Sequence, residues 1–201
     1  MSASVDPVPA RRGRPGYDRE QVLAVAVGLF NEQGYDATSV ADLAQRLGLT
    51  KSALYHHFDS KEQLLALALD EALSGLEGVL DAPSPDADPA ARLAAVLRGA
   101  VLVLVDRLPY VTLLLRVRGN SDVERAALER RRAFDHRVTA LVADAQRAGS
   151  VRADVDGAVV TRLVFGMVNS IVEWYRPDGS VDRERLAHDV VTVALDGMRT
   201  R

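Results

Sequence analysis

Apolar residues recur at the 3.6-residue spacing of an α-helix along the first third of the chain. Gly34 stands where a left-handed C-cap would end the first such stretch, and Gly48 stops the second. Capping sequences at Ser39, Thr50 and Ser60 open the stretches that follow. The pattern predicts four helices, at about residues 18–33, 39–47, 51–57 and 61–80.

The rest of the chain continues in the same way after a loop at 81–88 that contains two prolines and three acids. No segment shows sustained period-two alternation, so strands are not expected. The fold class is therefore all-α with about nine helices, and the five further helices are predicted at 89–107, 109–117, 122–148, 156–175 and 182–199. We divide the chain into a flexible basic arm, a small helical domain and a larger one, at residues 1–16, 17–62 and 63–201.

The turn between the second and third predicted helices has helix-turn-helix spacing. Ala44 lies four positions before Gly48, and Leu49 and Thr50 follow. The small alanine lets two helices approach closely, and the glycine turns the chain through positive φ, so the third helix leaves at a steep angle. This arrangement is typical of DNA-binding proteins, although a plain helical hairpin would also satisfy it.

The run from Asp36 to Lys61 resembles the DNA-binding half of the tetracycline-repressor (TetR) family, and the resemblance extends over about residues 12–65. It includes Gly34-Tyr35, the Leu-Tyr-x-x-Phe of 54–58 and Ser60-Lys61. Residues 80–201 are similar in helix count and order only, apart from 174–179, which resembles members that sense lipid-like or coenzyme A-linked acids. The resemblance implies a homodimer that binds a double-stranded DNA operator and responds to a small molecule.

A recognition helix presents its first turn to the major groove, so Lys51, Ser52 and Ala53 are expected to face base edges. The resemblance implies phosphate contacts and a basic arm, and the whole expected set is Arg11, Arg12, Arg14, Thr38, Ser39, Thr50, Lys51, Ser52, Ala53, Tyr55, His56 and Lys61. The alternatives are that the arm is a solvated tail and that the threonines only cap helices. For Tyr55, the alternative to a DNA contact is that its side chain packs inward with Leu54 and Phe58.

The last two predicted helices carry apolar residues on more than one face, so we expect two of them per chain to form a four-helix dimer interface. A monomeric bundle is the alternative. The expected interface residues are Val160, Leu163, Val168, Val172, Leu186, Val190, Val193 and Ala194.

The middle helices carry apolar faces that could line an effector pocket, although core packing would explain the same residues. Asn169 needs a partner on so apolar a helix, either a neighbouring helix or a ligand. The expected pocket residues are Leu104, Leu113, Arg116, Phe134, Val138, Phe165 and Asn169, and they suggest a largely hydrophobic effector with an acid or acyl-thioester group. The basic run at 129–132 reads as a solvated face.

Composition removes other classes of function. The chain has no cysteine and four histidines, and it shows no metal-binding, nucleotide-binding or hydrolase motif, so we expect no enzyme, no cofactor and no metal. No apolar run is long enough to span a membrane, and a cytoplasmic location is expected. With a net charge of −3, the chain is not basic as a whole, so only a local concentration of basic residues could support DNA binding. The two lysines both lie at predicted helix starts. A helical small-molecule-binding or adaptor protein without operator binding is the remaining alternative.

Overall fold

The computed structural model describes residues 17–199, and this part of the chain contains helices and no strands. Its nine helices are α1 Arg19–Gln33, α2 Val40–Leu47, α3 Lys51–Tyr55, α4 Lys61–Asp81, α5 Pro89–Asp106, α6 Leu108–Arg116, α7 Asp122–Arg147, α8 Gly157–Trp174 and α9 Arg183–Met198. The all-α prediction is confirmed, and each helix lies within two residues of its predicted bounds.

Side-chain caps set the beginnings of the early helices. Asp18 and Ser39 each form a full capping box, with Gln21 and Asp42 respectively. Ser60 accepts from the Gln63 backbone N–H, but the Gln63 side chain bonds to Asp59 rather than to Ser60, so the box predicted there is only half formed.

The two predicted glycine stops differ in conformation. Gly48 has φ 65° and ψ 30°, the left-handed geometry expected at a C-cap. Gly34 has φ 89° but ψ 148°, so the left-handed cap predicted there is wrong. The positive φ still favours glycine at this position, and the extended ψ directs the chain away from α1 instead of curling it back.

We call α1, α2 and α3 the reading head. Its core is continuous with the larger part of the chain, because Phe30 and Leu54 belong to the same buried cluster as Leu65 of α4. That cluster extends to Leu104 of α5 and Ile171 of α8. Helix α4 therefore contributes to both parts of the molecule, and the boundary placed at residue 62 stays a prediction.

The larger part is a bundle in which α5 contacts α4, α7 and α9, and α7 contacts α4 and α8. Helices α4 and α5 approach closely at Gly99, where an added Cβ would lie 2.6 Å from the Val79 Cγ1 atom. A second buried cluster, which includes Leu97, Phe134 and Val142, fills the end of the bundle remote from the reading head. None of the helices within residues 17–199 combines the length and the apolar character that crossing a bilayer requires.

Candidate functional site

The turn between α2 and α3 is held by local hydrogen bonds. The Leu49 N–H donates to the Ala44 carbonyl at 2.9 Å, and the Thr50 hydroxyl oxygen accepts from the Ala53 N–H at 3.1 Å. Ala44 is 5% exposed, so its methyl group lies at the contact between helices. The geometry that the small residue and the glycine predicted is therefore present.

Helix α3 is anchored on one side and exposed on the other. Leu54 and the following Phe58 are buried, whereas Lys51, Ser52 and His56 are exposed and Ala53 is half-buried. Tyr55 is 51% exposed, so the alternative that it points inward with Leu54 and Phe58 is wrong. The outward face is therefore a continuous polar surface on a short helix, which has the dimensions needed to enter a major groove.

The hydroxyl groups expected at phosphates fall into two kinds. Thr38 is 1% exposed and its hydroxyl donates to the Gly34 carbonyl at 2.8 Å, so its side chain does not reach the surface, contrary to expectation. Ser39 and Thr50 are exposed caps whose oxygens accept from backbone N–H groups. Because a hydroxyl that accepts keeps its own proton, these two caps still have a donor to offer.

Lys61 has a structural role that the sequence did not reveal. Its Nζ atom donates to the carbonyls of Tyr35 and Thr38, at 2.8 and 2.9 Å, and lies 4.2 Å from the centroid of the Tyr35 ring. An ammonium group has three donors, so one is left for a phosphate. Lys61 thus joins the start of α4 to the segment between α1 and α2. Arg11, Arg12 and Arg14 of the expected arm lie outside the described residues.

An inner cavity lies among α4, α5, α6, α7 and α8. Four of the expected pocket residues line it, namely Leu104, Phe134, Phe165 and Asn169. The two phenylalanine rings meet edge to face, with centroids 5.3 Å apart. The free volume of this cavity is about 30 Å³, which is room for roughly one water molecule. The rest of the lining is apolar, except for Arg131 and Asp135 at one side.

Three expected pocket residues lie elsewhere. Leu113 and Arg116 line a separate groove between α6 and the reading head, and the Arg116 guanidinium donates to the Asn31 carbonyl at 2.7 Å. Val138 is buried in the core at the remote end of the bundle. The periodic pattern identified which residues share a helical face. It did not show whether that face points towards the cavity, because this depends on how the helices pack together.

The inner cavity adjoins an open groove of about 580 Å³ between α7 and α8. We call it the arginine groove, after Arg131, Arg132 and Arg162. None of the three forms an ion pair or a side-chain hydrogen bond within residues 17–199, whereas arginines such as Arg130 and Arg137 do. The interpretation of 129–132 as a plain solvated face fails for Arg130, which pairs with Asp70 and Glu77, whereas Glu129 and Arg132 are exposed as expected. The cavity and the groove share Arg131, Asp135, Phe165 and Asn169.

The electrostatics of the arginine groove are predominantly positive. Asp135 is the one acidic side chain in its lining, and His136 adds a further basic group. Burial raises the pKa of the Asp135 carboxyl, and the nearby charges of Arg131, His136 and Arg162 partly oppose the shift. A groove of this kind attracts anions, and guanidinium groups suit phosphate in particular because of their fork of donors.

Some of the residues expected at the dimer interface are exposed, and others are buried in the core of their own chain. Leu163 and Val193 are 68% and 63% exposed, and Val172 is half-buried. The other five are buried within their own chain and cannot form an outer surface, contrary to expectation: Val160, Val168, Leu186, Val190 and Ala194. Val159 and Trp174 of α8, which the sequence did not single out for this role, are exposed beside Leu163 on the same helix.

A helix-turn-helix with an exposed recognition helix, joined by a long helix to a bundle that contains an inner cavity, defines a class: DNA-binding regulators with a ligand domain. Residues 22–68 match the model of bacterial regulatory proteins of the tetR family, and residues 86–198 match the tetracyclin repressor-like C-terminal domain. The chain therefore belongs to the TetR family of transcriptional regulators. It is a ligand-responsive DNA-binding regulator and not an enzyme.

Individual members of this family are similar to the chain over nearly its whole length. The chain is 30% identical over 191 residues to the HTH-type transcriptional repressor KstR2 of Rhodococcus jostii, covering 90% of each chain. The crystal structure of SCO3833, a TetR-family regulator of Streptomyces coelicolor, is 49% identical with a TM-score of 0.83 and 94% coverage of both chains. AibR in complex with isovaleryl coenzyme A and operator DNA is 27% identical with a TM-score of 0.71, covering 87% of this chain and 96% of that one.

Proposed function

We propose that this protein is a homodimeric, cytoplasmic repressor that leaves a palindromic operator when it binds an acyl thioester with a phosphate-bearing head group. The observation that carries the proposal is that the inner cavity and the arginine groove share lining residues, Arg131, Asp135, Phe165 and Asn169. An apolar cavity alone would suit any hydrophobic compound. A cavity joined to unpaired arginines suits a molecule that is apolar at one end and anionic at the other.

The apolar end of such a molecule matches the inner cavity. Leu104, Phe134 and Phe165 supply an apolar lining from three different helices. Burying each methylene of an acyl chain contributes about 0.8 kcal/mol. Because the free volume is only about 30 Å³, the chain can enter only if side chains or a whole wall move. Binding is therefore accompanied by a change of shape, which a ligand needs in order to release DNA.

The anionic end matches the arginine groove. Arg131 lies at the junction with the inner cavity, and Arg132 and Arg162 continue along the groove. Each guanidinium can bind a phosphate through two parallel hydrogen bonds. The Asn169 amide lies at the same junction and can donate to the carbonyl oxygen of a thioester. Coenzyme A esters have this order of groups, and the AibR complex contains one, isovaleryl coenzyme A, together with operator DNA.

For the operator, we propose that Lys51, Ser52 and Ala53 read base edges while neighbouring groups hold phosphates. The exposed Tyr55 and His56, the caps Ser39 and Thr50, the third donor of Lys61 and the arm residues Arg11, Arg12 and Arg14 are the proposed phosphate contacts. A dimer with two such surfaces would prefer half-sites whose centres are about 10 bp apart or a multiple of that. Operator affinity should fall steeply with salt, by about 0.9 in log–log slope for each phosphate contacted.

We propose that the dimer forms through the exposed apolar stripe of α8 and the adjoining face of α9. Val159, Leu163 and Trp174 lie on the first helix and Val193 on the second, and all four are exposed in the single chain. Burying these side chains against a second copy removes apolar surface from water, at about 25 cal/mol for each Å². The two-fold axis would then relate the two recognition helices.

The test is calorimetric titration of the purified protein with isovaleryl and octanoyl coenzyme A, free coenzyme A and octanoate. The esters should bind more tightly than either half alone. Arg131→Ala and Arg162→Ala should each weaken ester binding by about tenfold or more and leave octanoate unaffected, since one charge-assisted hydrogen bond contributes about 1.5–3 kcal/mol. The matched control is Arg137→Ala on α7, whose guanidinium pairs with Asp81. No ester binding, or equal losses in the control, would contradict the proposal.

A further inference from the structure

Gly166 lies near the middle of α8 and lines the arginine groove. A Cβ atom added at this position would meet no atom of a neighbouring element of residues 17–199 within 4 Å, so packing does not require a glycine there. The backbone conformation does not require one either, because Gly166 is not among the glycines with positive φ. Inside a helix, glycine is less favourable than alanine. Nothing within the described part of the chain therefore explains this glycine.

Open space alone does not identify a binding site, because other helical glycines are equally unobstructed, namely Gly28, Gly78 and Gly197. Gly166 differs from them because it lines the arginine groove. It also lies between two residues to which the proposed function assigns ligand groups. Arg162 is one turn before it and Asn169 is three residues after it, and both line the same groove. A molecule that contacts both residues passes over Gly166.

The missing side chain uncovers main-chain atoms of α8. The Cα–Cβ bond of a helical residue is tilted towards the N-terminus, so a side chain at position 166 would cover the turn that contains Arg162 and Leu163. In an α-helix the Arg162 carbonyl accepts the Gly166 N–H, and a carbonyl oxygen has a second lone pair. Without a Cβ above it, this carbonyl can accept a further hydrogen bond from a ligand.

The spacing of Arg162 and Asn169 suits the linker of a coenzyme A ester. The two residues are seven positions apart, which is a rise of about 10 Å along the helix. The arm that joins the thioester sulfur to the phosphates is about as long as four extended residues, roughly 14 Å. It can therefore span the two turns and reach the Arg162 guanidinium. The arm also contains two amide N–H groups, which are the donors that an uncovered carbonyl needs.

We propose that Gly166 is a specificity-determining residue, at which the amide-containing linker of the ligand lies directly on the α8 main chain. The ligand class is thereby narrowed from any molecule with an apolar and an anionic end to thioesters whose carbonyl and phosphates are separated by a linker with amide donors. A free fatty acid has no such linker. The assignment rests on the proposed function, because it assumes that the thioester lies at Asn169 and a phosphate at Arg162.

The test is Gly166→Ala, measured for both stability and binding. Since no neighbouring atom lies close to the added methyl group, the variant should melt about 1–4 °C above the wild type. Calorimetry should nevertheless show an affinity for octanoyl coenzyme A about tenfold lower, because the methyl group lifts the linker off the main chain. Octanoyl pantetheine has the linker without the nucleotide and should lose affinity by a similar factor. Octanoate should be unaffected.

Gly78→Ala on α4 is the matched control, since Gly78 is exposed, equally unobstructed and not part of the groove lining. It should raise the melting temperature by a similar amount and leave ester binding unchanged. Light scattering of both variants tests the other use of an exposed helical glycine, which is the close approach of a second copy. A Gly166→Ala protein that loses its partner copy but keeps its ester affinity would overturn the proposal.

Equal ester affinities of Gly166→Ala and the wild type would also overturn it. In that case, losses in Arg131→Ala and Arg162→Ala would still support the proposed function, because those variants test the phosphates and not the linker. If no ester binds to the wild type, the proposed function fails and the assignment of Gly166 fails with it. The two failures are therefore distinguishable.

Discussion

The Lys61 ammonium lies over the Tyr35 ring, 4.2 Å from its centroid, while it donates to the Tyr35 carbonyl at 2.8 Å. One cation thus binds both the side chain and the main chain of the same residue. The contact fixes the start of α4 against the segment between α1 and α2. The orientation of the reading head on its connecting helix therefore depends on a residue that the sequence placed only at phosphates.

Lys61→Met should lower both stability and operator affinity. Removing the cation leaves two carbonyls without this donor and abolishes the ring contact, for a loss of about 1–3 kcal/mol in the free energy of unfolding. Operator affinity should fall alike for all DNA sequences. Thermal melting and fluorescence anisotropy measure the two effects. Lys51→Met is the control, since Lys51 is exposed and its replacement should leave the melting temperature unchanged. Equal melting temperatures for the two variants would contradict a stabilising role for the contacts of Lys61.

Lys51 and Ser52 should set base preference. Replacing either with alanine removes donors from the first turn of the exposed recognition helix, so discrimination at one or two positions per half-site should change by about 1–3 kcal/mol. The measurement is competition binding against a set of operators with single base-pair changes. A uniform loss at all positions would show that these residues contact phosphates instead.

Asp135→Asn should strengthen ester binding. The carboxylate faces the same groove as Arg131, His136 and Arg162, so at neutral pH it repels an anionic head group. Removing its charge should raise affinity about three- to tenfold, as expected for like charges a few ångströms apart at a partly exposed site. Because burial raises the pKa of Asp135, the wild type should bind esters more tightly as the pH falls towards that pKa.

The control for this pH dependence is His136→Gln, which removes the histidine that lines the same groove. Calorimetry at pH 5.5 and 7.5 with octanoyl coenzyme A separates the contributions. If the asparagine variant keeps the whole pH dependence of the wild type, the carboxylate is not responsible for it.

Arg130 should make the α4–α7 contact sensitive to acid. Its guanidinium pairs with Asp70 and Glu77 at 2.8 Å, and these bonds lower the pKa of both carboxyls. A lowered pKa stabilises the fold above the ordinary range of about 4, and the stabilisation is lost as the pH falls through the folded values. With partial solvent screening the pairs contribute about 1 kcal/mol. Arg130→Met should reduce stability at pH 7 and flatten its dependence between pH 5 and 3, as chemical denaturation would show.

Leu163→Arg should prevent the proposed dimer from forming. Leu163 is 68% exposed, so a charge there costs little in a single chain but would be buried without a partner between two copies. Light scattering should give the monomer mass, and operator affinity should fall by at least a hundredfold, because a single recognition helix binds weakly. Ala140→Arg on the exposed face of α7 should remain dimeric. A Leu163→Arg protein that stays dimeric would place the interface elsewhere.

Local signals in the sequence predicted the helices well, because a capping residue acts within three or four positions of itself. Ser39 and Thr50 begin their helices as expected for this reason. The recognition helix followed from the same kind of signal, although the sequence left the orientation of Tyr55 open. The role of Thr38 could not be predicted in this way. Only the folded turn before it shows that its hydroxyl donates to the Gly34 carbonyl.

Non-local arrangements were harder to predict. Val160 and Leu163 are both apolar and only three positions apart on α8, yet one faces its own chain and the other faces outward. Periodicity alone does not say which apolar face the rest of the chain covers. The arginine groove joins Arg131 and Arg162, which are on different helices, so no single stretch of sequence shows it. The sequence did carry one signal for this groove: charged residues recur on successive turns of α7, at Arg131, Arg132, Asp135 and His136.

The small inner cavity has a consequence for how the cell's chemistry is sensed. With about 30 Å³ of free space, the side chains around the cavity are closely packed and leave no room for an acyl chain in this shape. An effector must use part of its binding free energy to open that space, so its apparent affinity is weaker than its contacts alone would give. The protein therefore sets a concentration threshold. For the proposed acyl ester, amounts below that threshold would leave transcription unchanged, and only accumulation above it would alter transcription.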